Sequence, residues 1–281
     1  MAIQTRKKNG GASNSPVSIG GKPLRVAICL FGQPRRAKEG FEIFKKLMNE
    51  PYHSNITFDI FFHSWIMYEN PGGKISYTES AYRILKKENI EVNGDILEQL
   101  LSMYKPVSFD VSTPITFKKD AYENTLLYNN TDQLGKNNLN NVLSQTYSRQ
   151  KVRDVLASYI KATGTHYDFV IGTRFDFLNE IGINLNTIEP TNLHVGTYRF
   201  PIISIPDVLA ICNQDMFLKM FNIFNNFHNI MNNKQLEEKY VKLCKARFWF
   251  HPDEIFHINY LYYFKDNKRI EYHDELPKFD K

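Results

Sequence analysis

Apolar residues recur along this chain with two alternating periods, and that alternation predicts an α/β fold. Short apolar runs with β-branched or aromatic centres read as buried strands: Arg25–Leu30, Phe58–Phe62 and Phe169–Ile171. Val107–Val111, Leu193–Tyr198 and Asp207–Cys212 add three more. Between them the spacing turns helical. Phe41, Phe44, Leu47 and Met48 form one apolar stripe, and Ile96, Leu97, Leu100, Leu101 and Met103 form another behind a capping Asp95. A short helix is expected over Glu79–Lys87. The clearest helix runs from Val142 to Thr163, with Val152, Val155, Leu156, Tyr159 and Ile160 on one buried stripe and Gly164 closing it. Further helices start at Asp215, near Lys234 (to Lys245) and at Pro252. Pro252 suits a first helical position, and Asp253 and Glu254 suit the first turn, where the helix dipole favours negative charge.

The organisation follows from breaks in the pattern. Residues 1–22 are rich in Gly, Ser, Asn and Lys without periodicity and are expected as a disordered basic tail. Residues 23–281 then form one α/β domain. Within it, 114–141 is polar and Asn-rich and is expected as a mobile loop that can serve as a lid.

The polar residues that carry chemistry sit where the predicted strands end. In open α/β sheets ligands bind beyond the carboxyl ends of the strands. The first strand runs into Phe31-Gly32-Gln33-Pro34-Arg35-Arg36, a Gly/Pro turn with two guanidiniums. This is the opening of a nucleotide-binding βα unit, without the three-glycine dinucleotide fingerprint. The second strand ends in His63-Ser64-Trp65. The Phe169–Ile171 strand ends in Thr173, Arg174 and Asp176, a cation for phosphate beside a carboxylate for a metal or a sugar hydroxyl. The long helix presents Gln145, Ser148 and Arg149 on one face. Each has a plain alternative: a salt bridge at a strand end, a satisfied core histidine, a solvated helix face, or dipole compensation by Asp253 and Glu254. His257 lies four residues after Asp253 and three after Glu254, so it shares a face with either.

Composition changes this picture little. The net charge of +5 comes largely from Arg6, Lys7, Lys8 and Lys22, so it does not describe a nucleic-acid groove. Aromatic residues make up 14% of the chain, enough for sugar-facing surfaces as well as a core. Three cysteines, Cys29, Cys212 and Cys244, show no metal spacing, and the first two read as buried thiols of a reducing compartment. No run approaches a membrane span, and a soluble, cytoplasmic protein is expected.

Taken in order, RVAICLFGQPR (Arg25–Arg35), FDIFFHSW (Phe58–Trp65), SQTYSRQKVR (Ser144–Arg153), DFVIGTRFD (Asp168–Asp176), DVLAICNQDMF (Asp207–Phe217) and the late Pro252-Asp253-Glu254 resemble the GT-A-type glycosyltransferases of large algal viruses and of bacterial surface-polysaccharide loci. The resemblance spans roughly Arg25 to Lys265. It implies a single GT-A-like domain, with a Rossmann-like nucleotide-binding half, a mixed central sheet and an acceptor-binding half. It implies transfer of a sugar, xylose by the nearest likeness, from a nucleoside diphosphate (UDP preferred) to a hydroxyl of a glycan or glycoprotein; an inverting route with a single base is expected, with a retaining route as the alternative. For a virus the compartment would be the host cytoplasm.

The resemblance also implies roles. The loop residues Phe31, Gly32, Gln33 and Arg35 hold the nucleotide; His63, at its strand end, and Ser148 and Arg149, on the long helix, are further candidates read from their own positions. Arg174 and Asp176 face the diphosphate, Asp176 being the protein ligand of any Mn²⁺ or Mg²⁺. Glu254 or Asp253 activates the acceptor, with Asp207 as second choice or as a partner of the sugar hydroxyls. One departure stands out. Arg174 occupies the first acidic position of the family's metal motif, and a guanidinium neutralises a diphosphate without metal. That leaves metal dependence open. It also keeps a second reading, a non-catalytic glycan- or nucleotide-binding module.

Overall fold

The computed structural model describes residues 23–66, 96–118, 120–131, 139–197, 205–206, 208–244, 251–273 and 276. The tail over 1–22, the helix expected over 79–87, Asp95 and Asp207 lie outside the described residues.

The chain opens with β1 (Leu24–Gly32), α1 (Ala37–Asn49), a 3-10 turn (Pro51–His53), β2 (Ile56–Trp65), α2 (Ile96–Tyr104) and β3 (Ser108–Ser112). These three strands are parallel. Then come α3 (Asp120–Glu123), α4 (Leu126–Asn130) and the 25-residue α5 (Leu139–Thr163). They lead to β4 (Phe169–Arg174), which pairs in parallel with the free side of β1. The remainder is β5 (Leu193–Val195), β6 (Leu209–Cys212), α6 (Gln214–Met220), α7 (Phe227–Met231), α8 (Lys234–Cys244), α9 (Pro252–Phe264) and β7 (Ile270–Tyr272). The seven strands form one mixed sheet in the order β3-β2-β1-β4-β6-β5-β7, with β6 antiparallel to both neighbours. This is the mixed α/β architecture that the alternating pattern predicts.

The period of two along β1 sorts the core into two layers. Val26, Ile28 and Leu30 face Phe44 and Leu47 of α1 and Leu100 and Tyr104 of α2. Ala27, Cys29 and Phe31 face α5, α6 and α9. With both faces covered, a central strand is a continuous apolar run. The second layer depends on small residues in the sheet. Cys29, Gly172 and Ala210 form one row across β1, β4 and β6. The stacked Phe217–Phe221 pair sits over that row, and a Cβ on Gly172 would meet Phe221 at 2.4 Å. Cys29 and Cys212 are buried free thiols, as expected.

Two expectations shift in detail, and one strand is new. The stretch 114–141 is in part helical: α3 and α4 form there, Leu127 is fully buried, and the Leu126 N–H donates to Asn232 Oδ1. The Leu126-Leu127-Tyr128 triplet gives this polar segment an apolar anchor. α5 begins three residues before Val142, because buried Leu139 adds a turn to its apolar stripe. β7 was not visible in the sequence, since three residues are too few to show a period. Among the described residues no helix is long and apolar enough to cross a membrane.

Candidate functional site

Strand order alone marks one place on the sheet. β2 lies on one side of β1 and β4 on the other, so the connections leaving the neighbourhood of β1 run in opposite directions. In open α/β sheets such a switch point leaves a crevice at the carboxyl ends of the two diverging strands. Here the β1–α1 loop and the end of β4 stand on either side of that point.

The loop turns sharply. Gly32 has φ 104° and Arg36 φ 49°, and only glycine adopts the first without steric cost. The turn places Arg35 against the residues that follow β4. Asp176 accepts two bonds from Arg174, Nε to Oδ1 at 2.8 Å and Nη2 to Oδ2 at 2.7 Å. Arg35 Nη2 lies 2.8 Å from the same Oδ2. Burial by itself would raise the Asp176 carboxyl; the two guanidiniums outweigh it and hold it below the usual carboxylate range. Two guanidiniums share one carboxylate at this point, and guanidiniums are the groups that hold a phosphate by paired hydrogen bonds.

A second group sits beside the first. Phe31, His63 and Arg174 are in register across β1, β2 and β4. The Gly32 N–H donates to Ser148 Oγ at 2.8 Å. His63 Nδ1 is 2.7 Å from the same hydroxyl, and Nε2 is 3.1 Å from Ser112 Oγ. His63 is therefore a satisfied, fully buried histidine, the plainer of the two roles open to it. Its two hydrogen bonds join β2 to β3 and α5, and the Gly32–Ser148 bond adds the end of β1. The guanidinium of buried Arg149 lies between two rings, 5.0 Å from the Phe31 centroid and 4.8 Å from that of Phe256. That stack joins the end of β1 to α9.

The stack holds Phe256, just past the first turn of α9, beside the end of β1. Pro252 takes the first helical position, as its fixed φ dictates. Asp253 and Glu254 are both buried. Glu254 Oε2 accepts the N–H of His251, the capping residue, at 3.0 Å. His257 is engaged elsewhere, with Nε2 3.0 Å from Asn267 Oδ1. Gln33 is half-buried in the loop. The structure thus gathers Arg35, Arg174 and Asp176 into one cluster, and Phe31, Gly32, His63, Ser148 and Arg149 into another.

Sequence reasoning placed Lys151 near this helix face but missed three members of the neighbourhood, Ser112, Asp110 and Tyr147. Ser112 holds His63. Lys151 pairs with Asp110 at 3.2 Å. Tyr147 stacks on Trp65, centroids 5.2 Å apart. Asp110 and Ser112 are two apart on β3, and that spacing was the available sign that they share a face.

Two buried histidines set an acid limit on stability. Burial brings His63 down to about 4, with Lys151 adding to the effect and Asp110 opposing it. Burial also brings His257 to about 4 against the Asn267 hydrogen bond. In the unfolded chain each returns to about 6.5. Their contribution is complete above pH 6.5 and is lost as the pH falls through 4, on the order of 3 kcal/mol each. The melting temperature should therefore drop steeply between pH 6.5 and 4, and less steeply in a His257→Gln variant. An unchanged melting temperature across that window would refute the assignment.

No known family model matches the chain, and no curated protein sequence matches it. Among solved structures the fold is similar to an active-site mutant of LgtC, with a TM-score of 0.35 and 12% identity over 89% of this chain and 72% of that one. A likeness at that level assigns no role to any residue here.

Proposed function

We propose that the crevice between β1 and β4 takes the diphosphate of a nucleotide sugar and that the chain transfers the sugar to a hydroxyl of a glycan. The observation that carries this reading is the Arg35–Asp176–Arg174 cluster at the switch point of the sheet. Asp176 holds both guanidiniums in place before a ligand arrives, so their orientation costs nothing at the moment of reaction. The resemblance of the sequence to GT-A-type glycosyltransferases supports the same site and adds UDP and xylose as the finer assignment.

The reaction breaks the bond between the anomeric carbon and the diphosphate oxygen. It forms a bond from that carbon to the acceptor oxygen, through an oxocarbenium-like transition state. Negative charge grows on the departing diphosphate, where Arg174 and Arg35 meet it. The acceptor proton goes to one carboxylate of the pair on the first turn of α9, Glu254 or Asp253, on the face opposite the leaving group. Asp207 remains the alternative residue for this task.

A divalent ion is a poor fit to this cluster. Both oxygens of Asp176 already accept from Arg174, Arg35 shares one of them, and the other position of the Arg174-Phe175-Asp176 tripeptide is a cation. The reading therefore takes no step through a metal and assigns the positive charge to the guanidiniums.

Thermal unfolding in the presence of a panel of nucleotide sugars, with and without Mn²⁺, tests this. One nucleoside diphosphate sugar at 100 times its dissociation constant should stabilise the protein by about 2.7 kcal/mol, equally with and without Mn²⁺. Arg174→Ala should abolish the shift. A strict need for Mn²⁺ would return Asp176 to the role of metal ligand. No response to any donor would leave a module that binds glycan alone.

A further inference from the structure

Three metal-ligating side chains meet at the far edge of the sheet, outside the crevice. His194 lies in β5, Glu271 pairs with it in β7, and His273 follows two residues later on the same face. His194 is also in the cross-strand row of Ile171 and Ile211. That row places it two strand spacings, about 10 Å, to the side of β4, and three residues, about another 10 Å, back from Arg174. The cluster is separate from the proposed donor site.

We propose that His194, Glu271 and His273 form a site for a divalent transition metal of the zinc class, clamping β7 to β5. The spacing is the first argument. His194 Nδ1 is 2.9 Å from His273 Nε2 and 3.3 Å from Glu271 Oε2, and His273 Nε2 is 3.6 Å from Glu271 Oε2. A tetrahedral ion with bonds of about 2.0–2.1 Å holds its ligands about 3.3 Å apart. The three atoms therefore occupy three corners of such a tetrahedron almost as they stand.

The second argument is orientation. His194 Nε2 lies 2.7 Å from the Glu189 carbonyl oxygen, which accepts only, so Nε2 carries the proton and Nδ1 carries the lone pair. Nδ1 accepts from His273 Nε2, and an ion entering between the two nitrogens replaces that one proton. Metal-bound histidines characteristically give their second N–H to a carbonyl or carboxylate in this way. Asn192 Nδ2 donates to Glu271 Oε1, leaving Oε2 to face the histidines. The third argument is access. His194 is fully buried, while the Glu271 side chain is 42% exposed, so one side is fixed and the other open to an entering ion. The ligand chemistry of two imidazoles and a carboxylate suits zinc better than calcium or magnesium. A water would complete the fourth position.

The test uses the full chain, stripped with EDTA and then given Zn²⁺ or Co²⁺. One ion should bind per chain, Co²⁺ should give the visible absorption of a tetrahedral site, and saturating Zn²⁺ should raise the melting temperature by about 5 °C. Glu271→Gln and His273→Gln change partly exposed positions, and each should weaken Zn²⁺ binding at least about tenfold. Asp176→Asn, in the crevice, should bind Zn²⁺ as the unaltered chain does. The proposal is overturned if the stripped protein shows neither a Zn²⁺-dependent rise nor a Co²⁺ spectrum, or if both edge variants bind as tightly as the unaltered chain. It is equally overturned if Asp176→Asn loses the ion while His273→Gln keeps it, since the metal would then belong to the crevice.

Discussion

Glu254→Gln should lower turnover by about 10²–10⁴-fold, the range a single general base contributes. The amide keeps a carbonyl oxygen for the His251 N–H that Glu254 Oε2 now accepts. The cap survives, and the change in stability should stay within about 1 kcal/mol. Removing the negative charge at the helix start accounts for at most about that much again. A large fall in rate with a small fall in melting temperature is thus the signature of a base rather than a cap. Asp253→Asn provides the comparison, because Asp253 sits beside it in the same buried turn. One of the two variants should show the full loss and the other a smaller one. If both retain the turnover of the unaltered protein, the acceptor base lies elsewhere.

Gly40→Ala should destabilise the fold by about 3 kcal/mol or more, at the upper end of what overpacking costs. Two effects compete at this position. Gly40 is inside α1, where alanine is favoured over glycine by about 1 kcal/mol on propensity alone. Against that, a Cβ would stand 2.0 Å from the Phe175 carbonyl oxygen and 3.2 Å from its carbon. Both partners are backbone, so no side chain can swing aside, and the steric cost wins. The segment that must move carries Asp176. Donor binding should therefore weaken together with the melting temperature, which should fall by roughly 6–12 °C. A variant as stable as the unaltered chain would show that α1 and the Phe175–Phe177 segment do not touch as described.

How far the sequence discloses this molecule depends on how far a pattern extends. α5 and the strands flanking β1 were legible, because a stripe such as Val152, Val155, Leu156 repeats often enough to fix a period, and because buried parallel strands are unbroken apolar runs. The site was legible only as residues at strand ends. Arg35, Arg174 and Asp176 could be named, but the sharing of the Asp176 carboxylate between two guanidiniums could not be read from their spacing. Pairings such as Ser112 with His63 join residues 49 positions apart, and no local spacing encodes them. β7, with its Glu271 and the His273 just after it, was missed for a related reason. A three-residue strand gains its identity from the neighbour it pairs with, here His194.

The place of β1 at the switch point also has a consequence for the order of assembly. Its partner on one side, β2, follows at once. Its partner on the other, β4, comes far later: Arg25 and Asp168, joined by a hydrogen bond, are 143 positions apart. On a ribosome adding roughly 5–20 residues each second, the free edge of β1 waits about seven to thirty seconds for its pair. During that interval Val26–Leu30 is an unpaired apolar edge, the kind of surface that recruits other strands. Long-range pairing of this sort also slows folding. Aggregation of the newly made chain should therefore be governed by how long that edge stays open rather than by the stability of the finished sheet.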